Sequence, residues 1–296
     1  MNYTAMLGFI LILGLVFSAR AQDRLSKPSN GDADHVFGFD GAYNALASGR
    51  MLRYFVNTPL CVQESGPDDP ELATPFGNTV DAYRMFNDHR LSPIPYLMIY
   101  DTKLTWNNTG RLVQLVREMR IWQNGSMDLV TSVYHPSFVG LCYKYSHKCE
   151  LSTSNTSGAV DLFTDSQEPT RLTSFQELIY ALQMGEIVHF SSMMFLCQGS
   201  GPHPFEILGG TIRDFDSFEE SGGQVITSTV QVTASYDKDD NQDYADIVNL
   251  RVYDNTLVVV SLTEATGVDM EVKSQIEYNC EFQTDIPGGS AVFYRA

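Results

Sequence analysis

Basic residues are scarce in this chain, and their scarcity argues against one large class of function. Lysine and arginine together number 19, against 36 aspartate and glutamate residues, so the formal net charge at pH 7 is −17. A nucleic-acid-binding surface needs a basic face that neutralises phosphates. The composition therefore argues against DNA or RNA as a partner, and it fits cationic partners, divalent cations or simple solubility.

The chain also lacks the short linear motifs that identify several kinds of catalytic site. Its 6 histidines are scattered, and none belongs to an HExxH or another close metal-ligand set. The GSG triplet at 199–201 lacks the glycine spacing of a nucleophile elbow, and no phosphate-binding glycine loop is present. We therefore predict no zinc site and no cofactor, although a pocket built from separate strands leaves no linear motif.

Long apolar runs are absent beyond the N-terminus. The opening residues MNYTAMLGFILILGLVFSARA contain an apolar run from Met6 to Phe17 and small residues at Ala19 and Ala21. This pattern predicts a secretory signal peptide over residues 1–21, cleaved after Ala21. The alternative is a membrane anchor, but the run is shorter than the ~20 apolar residues that a spanning helix needs. We expect a secreted, extracellular protein with no membrane span.

Three Asn-x-Ser/Thr sequons agree with export. Asn107, Asn124 and Asn155 each lie in a polar turn or linker, where a glycan has room. We predict glycosylation at these three positions, although such triplets also arise by chance.

The sequence contains an internal repeat. The stretch FDGAYNALASGRMLRYFVNTPLC (Phe39–Cys61) aligns without a gap with FQELIYALQMGEIVHFSSMMFLC (Phe175–Cys197). Three further matches follow in the same order: FGNTVDAY with LGGTIRDF, MRIWQN with LRVYDN, and KCEL with NCEF. Ordered matches of this kind predict a duplicated domain.

The repeat suggests where the domains lie. We predict copy one over residues 35–151, a Ser/Thr-rich linker over 152–170, copy two over 171–283 and a C-terminal tail over 284–296. A chain of 296 residues with 43% hydrophobic content is large enough for a packed core in each copy.

Each copy opens with a predicted helix. In copy two, Thr173 or Ser174 can cap the segment, Glu177 is placed as the acid of a capping box, and Gly185 ends the helix. The face predicted to enter the core comprises Phe175, Leu178, Ile179 and Leu182.

Strands with alternating side chains follow each helix, and turns at Gln123-Asn124-Gly125 and Asp254-Asn255-Thr256 predict two hairpins. Five or six consecutive strands predict an antiparallel sheet that curls or closes. The predicted fold class is α+β and β-rich: two duplicated domains, each a short N-terminal helix packed on a curled antiparallel sheet or barrel.

Five cysteines in an exported chain invite disulfides. The repeat aligns Cys61 with Cys197 and Cys149 with Cys280, so the simplest pairing present in both copies is Cys61–Cys149 and Cys197–Cys280.

Cys142 aligns with Lys273 and is left as the odd, free thiol. It is a buried and inert residue, a reactive nucleophile or part of an intermolecular disulfide, and a pairing in which it replaces Cys149 also stays open.

The motifs of copy two resemble those of the VirK family of secreted proteins. They are the helix and strand SFQELIYALQMGEIVHFSSMMFLC, the glycine-pair strand ILGGTIRDF and the late strand DYADIVNLRVYDN. Copy one matches the family pattern only through its likeness to copy two. Where copy two has the glycine pair Gly209-Gly210, copy one has Gly77-Asn78. The resemblance implies two tandem VirK-like domains, but it brings no settled activity and no catalytic residues.

One acidic loop in copy two suggests a calcium site. In DKDDNQDYAD, the residues Asp237, Asp239, Asn241 and Asp243 stand at alternating positions, as at the start of an EF-hand loop, and the three aspartates are the candidate calcium ligands. However, Gln242 replaces the required turn glycine and Val248 replaces the closing glutamate. A solvated hairpin loop is the alternative, so no metal is firmly predicted.

Two repeated arginines are candidates for ligand binding. Arg120 and Arg251 occupy equivalent positions in alternating strands, where each can hold an anionic ligand inside the sheet, face outward or pair with an acid. The aromatic residues Tyr236 and Trp106 are added as candidate ligand contacts, although such residues also serve as plain core. Candidate catalytic groups are His189, Asp214 and Arg251.

Three functional hypotheses follow. The first, which we favour, is a secreted two-domain protein that binds a small apolar or amphipathic ligand within a β-barrel-like domain. The second is a secreted enzyme acting on a small molecule, including an oxidative or luciferase-type reaction. The third is an acidic extracellular matrix protein that concentrates cations. The oligomeric state is not predicted.

Overall fold

Two short helices occupy corresponding positions in the chain. Helix α1 spans Gly38–Ala47 and helix α2 spans Phe175–Gln183. Among the described residues, no helix combines the length and apolar character needed to cross a membrane. The predicted signal peptide lies outside the described residues. The computed structural model describes residues 33–66, 74–86, 94–106, 112–135, 141–165, 168–199, 201, 205–220, 223–237, 242–266, 271–284 and 289–295.

Helix α2 begins and ends where its sequence predicts. The Ser174 side chain accepts a hydrogen bond from the backbone N–H of Glu177 at 3.2 Å. Glu177 Oε2 accepts in turn from the backbone N–H of Thr173 at 2.7 Å, so the two ends of the first turn are capped reciprocally. Gly185 follows the helix with φ 74°, and its aligned residue Gly49 follows α1 with φ 77°. Glycine adopts this left-handed conformation without a steric penalty.

Within the described residues, the remaining regular structure is almost all β-strand. Two single-turn 3₁₀ helices, Thr58–Leu60 and Met194–Leu196, each lie directly before a cysteine. The strands are β1 (Ala33–Val36), β2 (Leu52–Val56), β3 (Val62–Ser65), β4 (Phe76–Thr79), β5 (Ala82–Phe86), β6 (Tyr96–Trp106), β7 (Leu112–Trp122), β8 (Ser126–Tyr134), β9 (Leu141–Glu150), β10 (Val160–Asp165), β11 (Thr170–Leu172), β12 (Val188–Met193), β13 (Gln198–Gly199), β14 (Ile207–Ile212), β15 (Asp216–Glu220), β16 (Gly223–Asp237), β17 (Gln242–Tyr253), β18 (Leu257–Thr266), β19 (Glu271–Glu281) and β20 (Ala291–Arg295).

These strands form three sheets, and the strand pairs that join β2 to β20 within them run antiparallel. Their orders are β1-β10-β2-β4, β11-β20-β12-β14-β5-β6-β7-β8-β9-β3 and β13-β19-β18-β17-β16-β15. The predicted hairpins are present: Gly125, with φ 86°, lies between β7 and β8, and Thr256, with φ 72°, lies between β17 and β18. The β-rich α+β class is therefore confirmed. As far as the described residues define them, none of the sheets closes into a barrel, so the barrel form of the prediction is corrected to open sheets.

The two halves of the chain contain the same elements in the same order. Half one, residues 33–165, contains β1 to β10 with α1 after the first strand, and half two, residues 170–295, contains β11 to β20 with α2 after the first strand. The set β1-β10-β2-β4 corresponds to β11-β20-β12-β14. The set β3-β9-β8-β7-β6-β5 corresponds to β13-β19-β18-β17-β16-β15.

Strands β10 and β20 lie in the segments that the sequence predicted as linker and tail. β10 pairs with β2, and β20 pairs with β12. A parallel bridge holds the first residue of each strand, from Leu151 to Val160 in half one and from Phe282 to Ala291 in half two. Each half therefore includes one strand more than the sequence alignment reached, because these short strands share too few residues to align.

Half one and half two share one sheet. β5 of half one pairs with β14 of half two, and Ala82 lies opposite Gly210. Gly209 lies opposite Tyr83, and a Cβ atom on Gly209 would come within 2.1 Å of the Tyr83 ring. Only glycine leaves room for this ring, so Gly209 of β14 is required where the halves join.

Each half has its own apolar core, and the two cores exchange side chains at the shared sheet. Ile207 of half two belongs to the core of half one, and Phe86 of half one packs against the core of half two. Burying one such large apolar side chain contributes about 1.5–3 kcal/mol. The helix residues predicted to enter the core of half two are all buried there: Phe175, Leu178, Ile179 and Leu182.

Candidate functional site

A pocket of about 350 Å³, which we call the junction pocket, lies where the two halves meet. The repeat aligns three pairs of its lining positions: Met51 with Ile187, Thr79 with Thr211, and Asp81 with Arg213. Half one contributes Met51, Thr79 and Asp81, and half two contributes Leu182, Gly185, Glu186, Ile187, His189, Thr211, Ile212, Arg213 and Phe215.

Strand pairing positions the polar side chains of the junction pocket. His189 on β12 lies opposite Thr211 on β14. The Thr211 backbone N–H donates to the carbonyl of Asp81 at 2.8 Å, and Asp81 directly precedes β5. His189, Thr211 and Asp81 are therefore brought together by β12, β14 and the start of β5, which are neighbours in the shared ten-stranded sheet.

The histidine at this site has one satisfied and one unsatisfied ring nitrogen. His189 Nδ1 lies 2.9 Å from Thr211 Oγ1. His189 Nε2 is buried and has no hydrogen-bond partner among the described residues. Buried polar atoms in proteins are nearly always bonded. Nε2 is therefore a group that a ligand can satisfy.

Burial lowers the pKa of His189, and the nearby carboxylates of Asp81 and Asp165 oppose this shift without reversing it. The imidazole is therefore neutral at pH 7, with one nitrogen protonated and the other able to accept a hydrogen bond.

Two ion pairs place charge beside the histidine. Asp81 Oδ1 lies 2.5 Å from Arg213 Nη2, and this pair joins half one to half two. Glu186 Oε2 lies 3.5 Å from Arg295 Nη1 within half two. Because each acid has a basic partner, the rim offers hydrogen-bonding groups without a large net charge.

The remaining wall of the junction pocket is apolar. Leu182 and Ile212 are buried, and Ile187 is 50% exposed at the mouth. Met51 and Phe215 complete the apolar lining. The pocket thus combines a polar side with an apolar side, as ligand sites in proteins commonly do.

Of the three predicted catalytic candidates, His189 alone lines the junction pocket. Asp214 is exposed, and its backbone carbonyl accepts a hydrogen bond from Ser228 Oγ at 2.6 Å. Arg251 is exposed on the outer face of β17, between the buried residues Leu250 and Val252. No described contact joins Asp214 or Arg251 to His189.

Among the predicted ligand-binding residues, Arg120 pairs with an acid. Arg120 Nε donates to Glu118 Oε1 at 2.7 Å on the same strand, which agrees with the structural ion-pair alternative. Arg251, the equivalent residue in half two, faces outward. Trp106 and Tyr236 lie on β6 and β16, but their side chains fall outside the described structure.

The calcium prediction falls mainly outside the described residues. Asp239 is not described, and for Asp237 and Asp243 only the backbone is described, near the facing ends of β16 and β17. Where the structure is described, no group of three His, Cys, Asp or Glu residues is arranged to hold a metal ion. The calcium site at this loop stays a prediction.

The structure contains two disulfides, and they join the pairs that the repeat predicted. Cys61 is bonded to Cys149 across 88 residues, and Cys197 is bonded to Cys280 across 83 residues. In each half the bond joins the residue after the 3₁₀ helix to the last long strand of the hairpin series.

Cys142 belongs to neither disulfide and is exposed on β9. Its interpretation as a buried thiol is wrong. The buried face of β9 carries Tyr145, His147 and Cys149, and Cys142 stands in the opposite phase of the alternation.

The sequons fall at exposed or undescribed positions. Asn107 lies outside the described residues, and Asn124 and Asn155 are exposed. Asn124 Oδ1 accepts a hydrogen bond from Ser126 Oγ, the hydroxyl of its own sequon, at 2.8 Å. Glycosylation at these positions stays a prediction.

Sequence reasoning missed Asp81, Arg213 and Thr211 as site residues. All three lie in the match between FGNTVDAY and LGGTIRDF. In that match Thr79 aligns with Thr211. Two positions later, the acidic residue Asp81 aligns with the basic residue Arg213. That opposite charge was the available signal that the two copies contact each other at this point.

Comparison with known proteins reveals a distant structural relationship. No protein-family model and no curated protein matches the chain. A crystal structure of a VirK family protein from Legionella pneumophila is similar over 42% of this chain and 98% of that chain, with 14% sequence identity and a TM-score of 0.34. Membership of the VirK family, which the sequence motifs suggest, stays a prediction.

Proposed function

We propose that this protein is exported and binds a small amphipathic ligand in the junction pocket. The observation that carries the proposal is His189 Nε2, a buried ring nitrogen without a described partner at the wall of a pocket that both halves build. An unmet buried hydrogen bond costs about 1–3 kcal/mol, and a bound ligand recovers that cost.

Export is supported by the covalent chemistry of the chain. The predicted signal peptide directs the chain out of the cytosol. The chain has two long-range disulfides. Disulfide bonds persist in oxidising compartments and are rare in reducing ones.

The class of ligand follows from the two sides of the pocket. A polar end of the ligand bonds His189 Nε2 and the groups around Thr79 and Thr211, and an apolar end packs on Leu182 and Ile212. This location differs from the interior of a barrel, because the described sheets are open and the inward side chains of each half pack on one another.

Native mass spectrometry of the exported protein tests the proposal. We expect a small-molecule mass that accompanies the folded protein and is lost on denaturation. The ligand-free protein should bind the amphipathic dye ANS saturably, and His189→Asn should weaken that binding about tenfold.

His147→Asn is the matched control. His147 is also a buried histidine with an unbonded ring nitrogen, but it lies on β9 and does not line the junction pocket. The proposal fails if no small molecule accompanies the protein and the dye does not bind, or if the two variants weaken dye binding equally.

A further inference from the structure

A second cleft, separate from the junction pocket, lies beside helix α1. It has a volume of about 600 Å³, and we call it the α1 cleft. Residues around β1 form one side, α1 forms another, and Thr164 of β10 with Glu168 and Pro169 forms the third. The lining side chains used below are His35, Phe37, Asn44, Arg50, Thr164 and Glu168.

The floor of the α1 cleft carries two unsatisfied polar atoms. Thr164 is only 3% exposed, and its Oγ1 has no hydrogen-bond partner among the described residues. His35 Nε2 lies 3.0 Å from Asp161 Oδ1, but His35 Nδ1 is buried and likewise has no described partner. Two such atoms beside one cleft indicate that a polar ligand completes their hydrogen bonds.

An exposed aromatic ring stands at the edge of this cleft. Phe37 is 44% exposed, although a phenylalanine is normally buried. Its ring stacks on His35 with a centroid distance of 4.3 Å, which fixes its orientation. A rigid, partly exposed ring offers a flat apolar surface to a ligand at little entropic cost.

Three planar polar side chains, Asn44, Arg50 and Glu168, line the same cleft. The Arg50 Nη2 atom lies 3.4 Å from Glu168 Oε1, and the Glu168 side chain is 86% exposed. Asn44 is exposed on α1. An amide, a guanidinium and a carboxylate each present two polar atoms in one plane, so each can bond two adjacent hydroxyl groups.

We infer that the α1 cleft binds a neutral saccharide. A sugar presents an apolar C–H face, which packs on Phe37, and pairs of neighbouring hydroxyls, which bond the planar groups and the two buried atoms of the floor. A strongly anionic ligand is disfavoured by the net charge of −17 and by Asp34 and Glu168 in the lining. A purely apolar ligand would leave the polar floor unsatisfied.

The α1 cleft is a property of half one alone. The repeat aligns Asn44 with Tyr180 and Arg50 with Glu186, so half two lacks the amide and the guanidinium. Two residues before the aligned stretch, half two has Thr173 where half one has Phe37, so half two also lacks the aromatic ring. One saccharide site per chain is therefore expected, and it does not depend on the ligand of the junction pocket.

Calorimetric titration of the full exported protein tests this inference. The probes are maltohexaose, cellohexaose, laminarihexaose, mannohexaose and chitohexaose. We expect at least one to bind with a dissociation constant of about 1 mM or tighter at a ratio of one per chain. A parallel titration with ribonuclease B, with unglycosylated ribonuclease A as its control, distinguishes a protein-linked glycan from a free oligosaccharide.

Two variants locate the binding. Phe37→Ala should weaken it about tenfold, whereas Phe218→Ala, which removes a phenylalanine that is 41% exposed on β15, should leave it unchanged. Asn44→Ala should also weaken it and keeps the fold, because alanine is favourable on an exposed helix surface. Gln183→Ala on the exposed surface of α2 is its control.

Two results would overturn the inference. One is that none of the five hexasaccharides and no ribonuclease B binds. The other is that Phe37→Ala and Asn44→Ala, both folded by circular dichroism, bind as tightly as Phe218→Ala and Gln183→Ala.

Discussion

Asp81 and Arg213, two residues that the internal repeat aligns with each other, form an ion pair across the junction of the two halves, with Oδ1 and Nη2 2.5 Å apart. The same position in the repeated domain therefore carries opposite charges in its two copies. The pair joins the strands that merge the halves into one sheet, and it lies at the rim of the junction pocket.

We expect the Asp81–Arg213 pair to contribute modestly to stability. The side chains are 33% and 65% exposed, so solvent screens their attraction. A double-mutant cycle with Asp81→Asn and Arg213→Gln, measured by urea unfolding, should give a coupling free energy of about 0.2–1 kcal/mol. The swapped variant Asp81→Arg with Arg213→Asp should regain part of that coupling. Strict additivity of the two single changes would contradict this prediction.

Gly209→Ala should destabilise the protein by about 1–3 kcal/mol. The new methyl group would meet the ring of Tyr83, which is buried and cannot swing away. Urea unfolding measures the loss. If the clash is the cause, the cost of Gly209→Ala should be smaller in a Tyr83→Ala background. An equal cost in both backgrounds would show that the ring is not responsible.

Removing either disulfide should cost about 4–5 kcal/mol in the chain-entropy model, because each bond closes a loop of more than 80 residues. The variants are Cys61→Ser with Cys149→Ser, and Cys197→Ser with Cys280→Ser. Guanidinium unfolding under non-reducing conditions gives the free energies. Cys142→Ser, at an exposed position outside both bonds, is the control. A disulfide variant that unfolds with the control would contradict the prediction.

The N-cap hydrogen bond of helix α2 should contribute about 1 kcal/mol to the free energy of unfolding. Ser174→Ala removes the acceptor for the Glu177 backbone N–H, and thermal unfolding reports the loss. Ser154→Ala, in an exposed turn, is the control and should change little.

Acid should weaken the same cap. The hydrogen bond from the Thr173 backbone N–H lowers the pKa of Glu177. The contribution of ionised Glu177 to the free energy of unfolding is present above the unfolded-state pKa of this carboxyl. It is lost as the pH falls through the folded-state pKa. Glu177→Gln should therefore flatten the pH dependence of stability at acidic pH.

His189 should make stability fall as the solution becomes mildly acidic. Because burial lowers its pKa below the ordinary value of 6.5, the unfolded chain binds a proton that the folded protein does not. The contribution of neutral His189 is complete above pH 6.5 and decreases as the pH falls towards the folded-state pKa. Unfolding free energies between about pH 5 and 7.5 should depend less on pH in His189→Asn than in the wild type. Gln183→Ala, at an exposed position on α2 without a titratable group, should keep the wild-type slope.

Local features of this fold were predictable because they depend on residues close together in sequence. The capping box at Ser174 and Glu177 and the left-handed glycine at Gly185 define α2 without reference to the rest of the chain. The disulfide pairs are long-range, but the repeat supplied the missing constraint by requiring one pairing scheme in both copies.

The junction was not predictable from these local rules. Which strand edge of one half meets which edge of the other depends on side-chain packing between residues far apart in sequence, such as Tyr83 and Gly209. The same limit explains the open sheets, because closure of a sheet depends on its edges. His189 was named as a candidate, but its neighbours Asp81 and Arg213 become site residues only once β5 and β14 pair.

The pairing of β5 with β14 also bears on how the gene can change. One copy of a duplicated domain can ordinarily be deleted. Here, deletion of either half would leave β5 or β14 as an unpaired edge strand, which is prone to aggregation. It would also take Ile207 or Phe86 out of the neighbouring core. We therefore expect the two copies to be gained or lost only together, because neither half has a fully paired sheet and a complete core without the other.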